Sequence, residues 1–483
     1  MGRCLLRSWL QATGLCLALG ACALGPDYAR PDAAPPAAFQ QAAPQGPIWP
    51  DKIWWRGFQS ADLNRLVEQA ESGSFDIQAA IARVHQADAQ LRISGAPLLP
   101  SVTGNGSQKY ARSYASISPQ LGRSRYLDSR TSDLGLSASY ELDVWGRVAA
   151  TRDSAEASAL NSRYSQQTVA LTTISAVATT WFTALAYEDR LAVAQRDLAD
   201  SEEILRAINA RLDAGTASAL DVAQQGALVA GVRATIPNLR SNAEQQINAL
   251  GVLVGTMPEN IQVAPGTLNT LALPEVAPGL PSDLLLRRPD IAAAEAQLVA
   301  ANANIRQARA NFYPQISLTG SAGLESGALA TLFGPTSMLL NAAASATQTI
   351  FDNGLKRGQY DLTVAQEEEL VADYRKAVVQ AFTDVENALT QYRYTTEQEK
   401  LERDAVAVAQ RAADIARAQV MAGTSDIVTA LQAQSTLFTD LDTLAQVRLA
   451  RFQALVALYK ALGGGWTVDD TAPPQPHLLQ GVL

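Results

Sequence analysis

Ala214-Gly215-Thr216 and Ala422-Gly423-Thr424 are one tripeptide written twice, 208 residues apart (424 − 216). Each interrupts a run that otherwise reads as continuous helix: residues 149–212 before the first, 356–421 before the second. A glycine just past the last periodic residue stops a helix, because Gly enters the left-handed region without a Cβ penalty. The helical pattern resumes at Ser218 and runs to Gly255, and again from Asp426 to Leu462. Each half of the chain therefore holds two long helices folded back at a Gly-Thr tip. About 64 residues at roughly 1.5 Å each come to roughly 96 Å, several times an ordinary helix.

The duplication extends beyond the tips. Asp76-Ile77-Gln78-Ala79-Ala80 matches Asp290-Ile291-Ala292-Ala293-Ala294, and Leu99-Pro100-Ser101-Val102 matches Tyr313-Pro314-Gln315-Ile316. After each proline come two strand-like segments, 101–112 and 132–142 in the first half, 316–325 and 342–351 in the second. Residues 113–131, polar with Ser, Gly and Pro, read as a long exposed loop. The repeating unit is short helix, strand, loop, strand, long helix, tip, long helix. In the helix before the second tip, Val371, Tyr374, Val378, Phe382, Val385, Leu389 and Tyr392 step by threes and fours, which is coiled-coil spacing. Pro237 lies inside a helical run and is expected to kink it.

The amino terminus is built differently. All three cysteines, Cys4, Cys16 and Cys22, fall in the first 22 residues, with Arg3 and Arg7 ahead of an apolar run from Leu10 to Leu19. Residues 1–21 read as a signal peptide. Leu19-Gly20-Ala21-Cys22 resembles a lipobox, which makes Cys22 the first mature residue and the carrier of a covalent lipid. Residues 22–50, rich in Ala and Pro, form a tether, and Trp54, Trp55 and Phe58 begin packed structure.

A net charge of −9 without a basic, aromatic-interleaved patch argues against nucleic acid. The two histidines, His85 and His477, stand alone, and no metal or other cofactor is expected. No nucleophile elbow, HExxH or phosphate loop is present, so no enzyme is expected. Glu367-Glu368-Glu369 read as a solvated helix face.

Each half supplies only two strands, too few to close a barrel, and open sheet edges do not lie in lipid. No run of 18 apolar residues follows the signal peptide, so no membrane helix is expected. Strands that enter a membrane must then be shared between chains: four from each of three copies give 12, an even number in the barrel range. The other reading open at this point is a periplasmic coiled-coil scaffold with a small β-cap.

Several blocks together resemble one family. Leu19 to Cys22 with Gly25-Pro26-Asp27-Tyr28-Ala29-Arg30-Pro31, then Trp54-Trp55-Arg56-Gly57-Phe58, are similar to the start of outer-membrane factor lipoproteins of the NodT/OprM-like, TolC-related branch. Residues 278–291, from Pro278 to Ile291 and including Leu286-Arg287-Arg288-Pro289-Asp290, resemble its most specific signature. Tyr140 to Arg147 and Leu458 to Trp466 are similar to further blocks, in order along the mature chain.

The resemblance implies a mainly α protein with membrane β structure: a homotrimeric 12-stranded outer-membrane barrel continuous with a periplasmic α-helical coiled-coil barrel. It implies the passive exit duct of a tripartite efflux system, fed by an inner-membrane transporter through a periplasmic adaptor. A secretion duct for a peptide or protein is the alternative cargo class. The chain divides into signal peptide 1–21, tether 22–50, first repeat 51–270, joint 271–287, second repeat 288–466 and tail 467–483. Adaptor docking is expected at Gly215, Thr216, Ser218, Gly423, Thr424 and Ser425. The periplasmic aperture is expected at Asp221, Asp426, Val428, Gln419 and Gln432. OprM-like relatives carry Arg and Asp where Gln419 and Gln432 stand, which leaves an amide network or an apolar constriction at Val428 in place of a charged latch.

Overall fold

Sixty-seven residues of unbroken helix precede the first Gly-Thr tip and 68 precede the second. The computed structural model describes residues 28–32, 36, 38–40, 48–118, 123–276 and 281–468. The signal peptide, Cys22, most of the tether, residues 278–280 of the signature block and most of the tail lie outside the described residues. In chain order the elements are α1 (Ala61–Gly73), α2 (Phe75–Gly95), β1 (Ser101–Ser118), β2 (Arg123–Leu142), α3 (Arg147–Asp213) and α4 (Ala219–Val254). There follow α5 (Pro281–Leu284), α6 (Pro289–Ala310), β3 (Gln315–Ser326), β4 (Met338–Thr347), α7 (Leu355–Ala422) and α8 (Ile427–Ala461). The run α2-β1-β2-α3-α4 recurs as α6-β3-β4-α7-α8, which is the repeat read from the sequence. Helix α4 continues through Pro237.

The chain forms two compact units. One comprises His85–Leu160 and Glu295–Asp373 with the segment ending at Pro31; the other comprises Asp32–Val84, Asn161–Ala294 and Tyr374–Leu483.

The first unit is built on a four-stranded antiparallel sheet in the order β1-β2-β3-β4. The 113–131 loop expected from the sequence is instead mostly strand: β1 runs on to Ser118 and β2 starts at Arg123. Side chains across the ladder explain it. Arg112 sends a bidentate pair to Asp128 (2.6 and 3.0 Å), and the Tyr114 and Tyr126 rings sit 5.0 Å apart on directly opposed residues. Such cross-strand pairs stabilise a ribbon that is poor in β-branched residues. Strand β4 lies at Met338–Thr347 rather than 342–351. Its end is set by the following helix start, where Asp352 accepts the backbone N–H of Lys356 at 3.2 Å.

Register divides the sheet into two faces. Leu134 opposes Leu324, which opposes Met338; Leu142 opposes Ile316. These residues share a face with Val102, Leu136, Leu318 and Leu340. The opposite face carries Thr103, Asn105, Ser107, Asp133, Ser137, Ser139, Ser317, Thr319, Ser321 and Asn341. At the β2–α3 junction, both oxygens of Asp143 accept backbone N–H groups of Val148 (3.0 Å) and Ala149 (2.7 Å). Trp145 stacks on Tyr313 and donates from Nε1 to the Pro314 carbonyl at 2.8 Å.

The second unit has an aromatic core. Trp54, Trp55 and Phe58 are buried there with Phe182, Phe452 and Tyr459. Trp54 stacks on Tyr459 at 4.9 Å, and Phe182 meets Phe58 and Phe452 at 5.0 and 4.8 Å. Contrary to the sequence expectation, α3 does hold an 18-residue window apolar enough to cross a membrane (mean hydropathy 1.5), but 56% of that window is buried inside the protein. Its helix contributes Ile174, Val177, Ala178, Trp181, Phe182 and Leu185 to the aromatic core. The signature block is structural as well. Arg288, buried at 8% exposure, pairs with Asp290 (2.6 Å) and Asp384 (3.0 Å) and donates to the Ala461 carbonyl that ends α8.

Candidate functional site: paired helix tips and a two-faced sheet

The two Gly-Thr tips close by the same hydrogen bonds. Gly215 takes φ +74° and Gly423 φ +75°. The N–H of Thr216 reaches the Arg211 carbonyl (2.8 Å) and that of Gly215 the Leu212 carbonyl (2.9 Å). In the second tip Thr424 reaches Gln419 (2.9 Å) and Gly423 reaches Val420 (3.0 Å). This is the Schellman pattern, in which a left-handed residue lets the chain satisfy the last helical carbonyls. Nothing lies within 4 Å of a Cβ placed on Gly215, so backbone conformation and not space requires glycine there.

The returning helices are capped as the sequence suggests. Ser218 and Asp221 form a reciprocal capping box on α4, with Ser218 N–H donating to Asp221 Oδ2 at 2.8 Å. Those bonds, first the Ser218 backbone N–H and then its hydroxyl, hold the Asp221 carboxyl below the usual carboxylate range. Asp426 caps α8 by accepting the Thr429 N–H at 2.9 Å. Both tip carboxylates are thus engaged at helix N-termini, where the dipole favours them.

The structure brings the tips of one chain together. Ile204 and Ile208 of α3 pack with Ala416 and Val420 of α7 and Ile427 and Ala430 of α8. Gly215, Thr216, Ser218, Gly423, Thr424, Asp426, Gln419 and Gln432 are exposed, while Ser425 and Asp221 are half-buried. Val428 is 56% exposed, and Leu220, its counterpart at the same 208-residue shift, is 64% exposed.

Three features of this region escape the sequence reading. Arg211 of the first tip donates to the Val420 carbonyl of the second (2.8 Å) and to the Thr216 carbonyl of its own (3.3 Å). One guanidinium therefore joins both hairpins, and its counterpart 208 residues on is Gln419. The duplicated register held that signal: the same place in the two tips carries a cation once. Arg417 of α7 pairs with Asp200 (3.2 Å) and Glu203 of α3. A buried polar layer lies nearby: Gln434 donates to Ser201 Oγ (2.7 Å) and Asp197 (2.9 Å), and Gln225 to the Ser201 carbonyl (2.9 Å). Burial raises the Asp197 carboxyl above its usual range, against the Gln434 hydrogen bond.

In the sheet, the polar face places Asp133 directly opposite Glu325. Ser107 Oγ donates to Asp133 at 2.6 Å. A row of hydroxyls and carboxylates on one face and leucines on the other suits a wall between water and lipid.

Comparison with known proteins agrees with this arrangement. The outer membrane efflux protein family matches residues 66–256 and 280–464. The pyoverdine export outer membrane protein OpmQ of Pseudomonas aeruginosa is 39% identical over 467 residues, covering 95% of this chain and 97% of its own. The toluene efflux pump outer membrane protein TtgC of Pseudomonas putida is 34% identical over 471 residues, covering 95% and 96%. A solved structure of the outer-membrane channel OprN superposes with a TM-score of 0.86 at 28% identity, over 92% of this chain and 100% of that one. The sheet with one apolar and one polar face, the duplicated helical hairpins and these matches along the whole chain lead to one conclusion: the protein belongs to the outer membrane efflux protein family, the outer-membrane channels of efflux pumps.

Proposed function

We propose that three copies of the chain join edge to edge into a single 12-stranded barrel and act as the passive exit duct of a tripartite pump. The observation that carries this is the pair of unused sheet edges. Among the described residues of one chain β1 pairs only with β2 and β4 only with β3, and every residue of β4 is exposed. Open edges are not tolerated in hydrocarbon, and an antiparallel β1–β4 junction between copies removes all of them at once. A second surface supports the same assembly. Tyr394, Leu401, Val408 and Ile415 on α7 recur every seven residues and are each more than half exposed. An apolar heptad seam of this kind packs against another helix.

In this reading the Gly-Thr tips receive a periplasmic adaptor, and an inner-membrane transporter supplies the energy. A diacylglycerol thioether and an amide-linked acyl chain on Cys22 anchor the mature chain in the outer membrane, since more than one chain is needed for stable attachment. Relatives of near-equal identity are named for cargoes as different as pyoverdine and toluene. That supports a duct that accepts what the transporter delivers.

Native mass spectrometry of the detergent-solubilised protein tests both parts. A particle of three chains, each derived from the 51.3 kDa precursor, is expected, and each chain should begin at Cys22 and carry the lipid mass. A monomer overturns the shared barrel; an unmodified chain retaining residues 1–21 overturns the anchor.

A further inference from the structure

The β1–β2 ribbon carries more than it needs to close a barrel. Strand β3 ends at Ser326, opposite Ser132. Beyond that row β1 and β2 continue together as a two-stranded ribbon. On the face that carries Leu134 and Leu136, the next opposed pairs are Gln108–Ser132, Tyr110–Arg130, Arg112–Asp128 and Tyr114–Tyr126. The apolar face thus changes to aromatic and cationic side chains within four residues.

Depth can be reckoned from the ladder. Leu142 and Arg130 are 12 residues apart on β2. At about 3.3 Å per residue and a tilt of about 40°, Arg130 stands roughly 30 Å above the Leu142 row. The hydrocarbon core is about 30 Å thick, so Tyr110 and Arg130 meet its outer boundary and the two rows beyond enter the headgroup layer. The ribbon end is remote along the strands from the helices that join β1 and β2 at Ser101 and Leu142. With the helices in the periplasm, it faces the outer leaflet.

The chemistry at that level is cationic in an acidic protein. Residues 107–131 contain Lys109, Arg112, Arg123, Arg125 and Arg130 against the single acid Asp128; Lys109 and Arg125 belong to the opposite face, and the outward face carries Arg112 and Arg130 against Asp128. Asp128 is occupied by Arg112 in a bidentate pair. The Arg130 guanidinium instead lies over the Tyr110 ring, 5.6 Å from its centroid. A guanidinium set over an aromatic ring can still donate its N–H groups to a phosphate. Tyr110, Tyr114 and Tyr126 are 54%, 67% and 62% exposed, so their rings line the same outward face.

We infer that this face of the ribbon, centred on Arg130 and Tyr110, binds the phosphate-bearing headgroups of outer-leaflet lipids. The inference rests on the outer-membrane reading above and adds a ligand to it. The site continues the lipid-facing leucine band, so the acyl chains of a bound lipid lie along Leu134 and Leu136 while its phosphate meets Arg130. Arg112, neutralised by Asp128, stiffens the ribbon and orients Tyr126, over whose ring it sits at 5.7 Å.

The test uses the full-length protein purified in detergent, as wild type, Arg130→Gln and Arg130→Lys. Native mass spectrometry reads how much lipid A, its dephosphorylated form, or lipid A with equimolar inorganic phosphate each protein retains. Wild type should retain lipid A, and Arg130→Gln should retain about fivefold less, the weight of one interfacial cation. Arg130→Lys keeps the charge without the guanidinium fork and should retain an intermediate amount, and inorganic phosphate at equal concentration should not displace the lipid. Equal retention by wild type and Arg130→Gln, equal retention of dephosphorylated lipid, or full displacement by phosphate each overturns the inference. Oligomer mass and single-channel conductance of the same samples separate the outcomes. A variant that stays trimeric and conducts while losing lipid A leaves the duct intact, whereas a monomeric wild type removes the duct reading first.

Discussion

At the scale of single residues, the most demanding group is Glu399. It is 1% exposed and accepts from Arg403 (2.5 Å), Arg448 (2.9 Å) and Arg451 (2.8 Å), joining α7 to α8. Burial pushes its carboxyl up, but the hydrogen bonds of Arg451 and Arg448 and the charge of Arg403 prevail and hold it below its ordinary range. A carboxyl depressed in the fold stabilises it above the unfolded value near 4.5, and the contribution fades as pH falls through the folded value. Glu399→Gln leaves three guanidinium groups around an amide, and breaking a buried pair of this kind costs about 3–5 kcal/mol. Thermal unfolding should show that deficit in full at pH 7 and a shrinking one below roughly pH 4.5, where the unfolded wild-type chain takes up a proton that the folded carboxyl binds only at lower pH. A deficit independent of pH would show that packing and not charge accounts for the loss. Nothing in the sequence marks Glu399. It sits in a charged stretch that reads as solvated surface, and two of its three partners are 49 and 52 residues away on another helix. Arg211 differs, because the duplication itself singles it out.

Among the elements, the sheet was half legible. Its strands follow the prolines of the repeat, and the leucine rows alternate as a membrane strand requires. The overrun of β1 and β2 was not legible, because Ser and Arg are the commonest residues of 113–131, Pro119 and Gly122 lie among them, and single-strand propensity registers the segment as loop. Only pairing across the ribbon, Tyr114 on Tyr126 and Arg112 on Asp128, makes those residues a strand, and pairing is a property of two segments at once. The polar face makes a further claim. Asp133 and Glu325 oppose each other directly, an arrangement that is unfavourable between like charges unless water or cations screen it. In a barrel of three copies these residues become a ring of six carboxylates facing the lumen, the arrangement that attracts cations in pores. Reversal potentials in a KCl gradient should therefore show cation preference, and Asp133→Asn with Glu325→Gln should move them toward zero. Reversal potentials identical in wild type and the double variant would place these side chains away from the ion path.

Across the whole molecule, the duplication sets the backbone of the two tips alike and lets their chemistry diverge. Both stop on a left-handed glycine and both present one exposed apolar residue at the second position of the returning helix, Leu220 and Val428. Beside them the pattern splits. The first tip carries Arg211, which binds carbonyls of both hairpins, and the second carries Gln419 in its place. Ile427, next to Val428, is buried in the cluster that joins α3, α7 and α8, whereas its counterpart Ala219 is exposed. Val428 thus projects beside a buried anchor, whereas the start of α4 is held by its capping box and by Ala217 and Val222, which are only partly buried against the same cluster. A constriction needs side chains held in place, since a mobile group blocks little. Threefold symmetry then makes Val428 an apolar ring, and gating by such a ring needs no charged latch at Gln419 or Gln432. Val428→Ser should raise single-channel conductance in planar bilayers, while Leu220→Ser should leave it near the wild-type value. If Leu220→Ser opens the channel and Val428→Ser does not, the aperture belongs to the first tip and Arg211 stands beside it; if neither changes conductance, the narrowest point lies away from both tips.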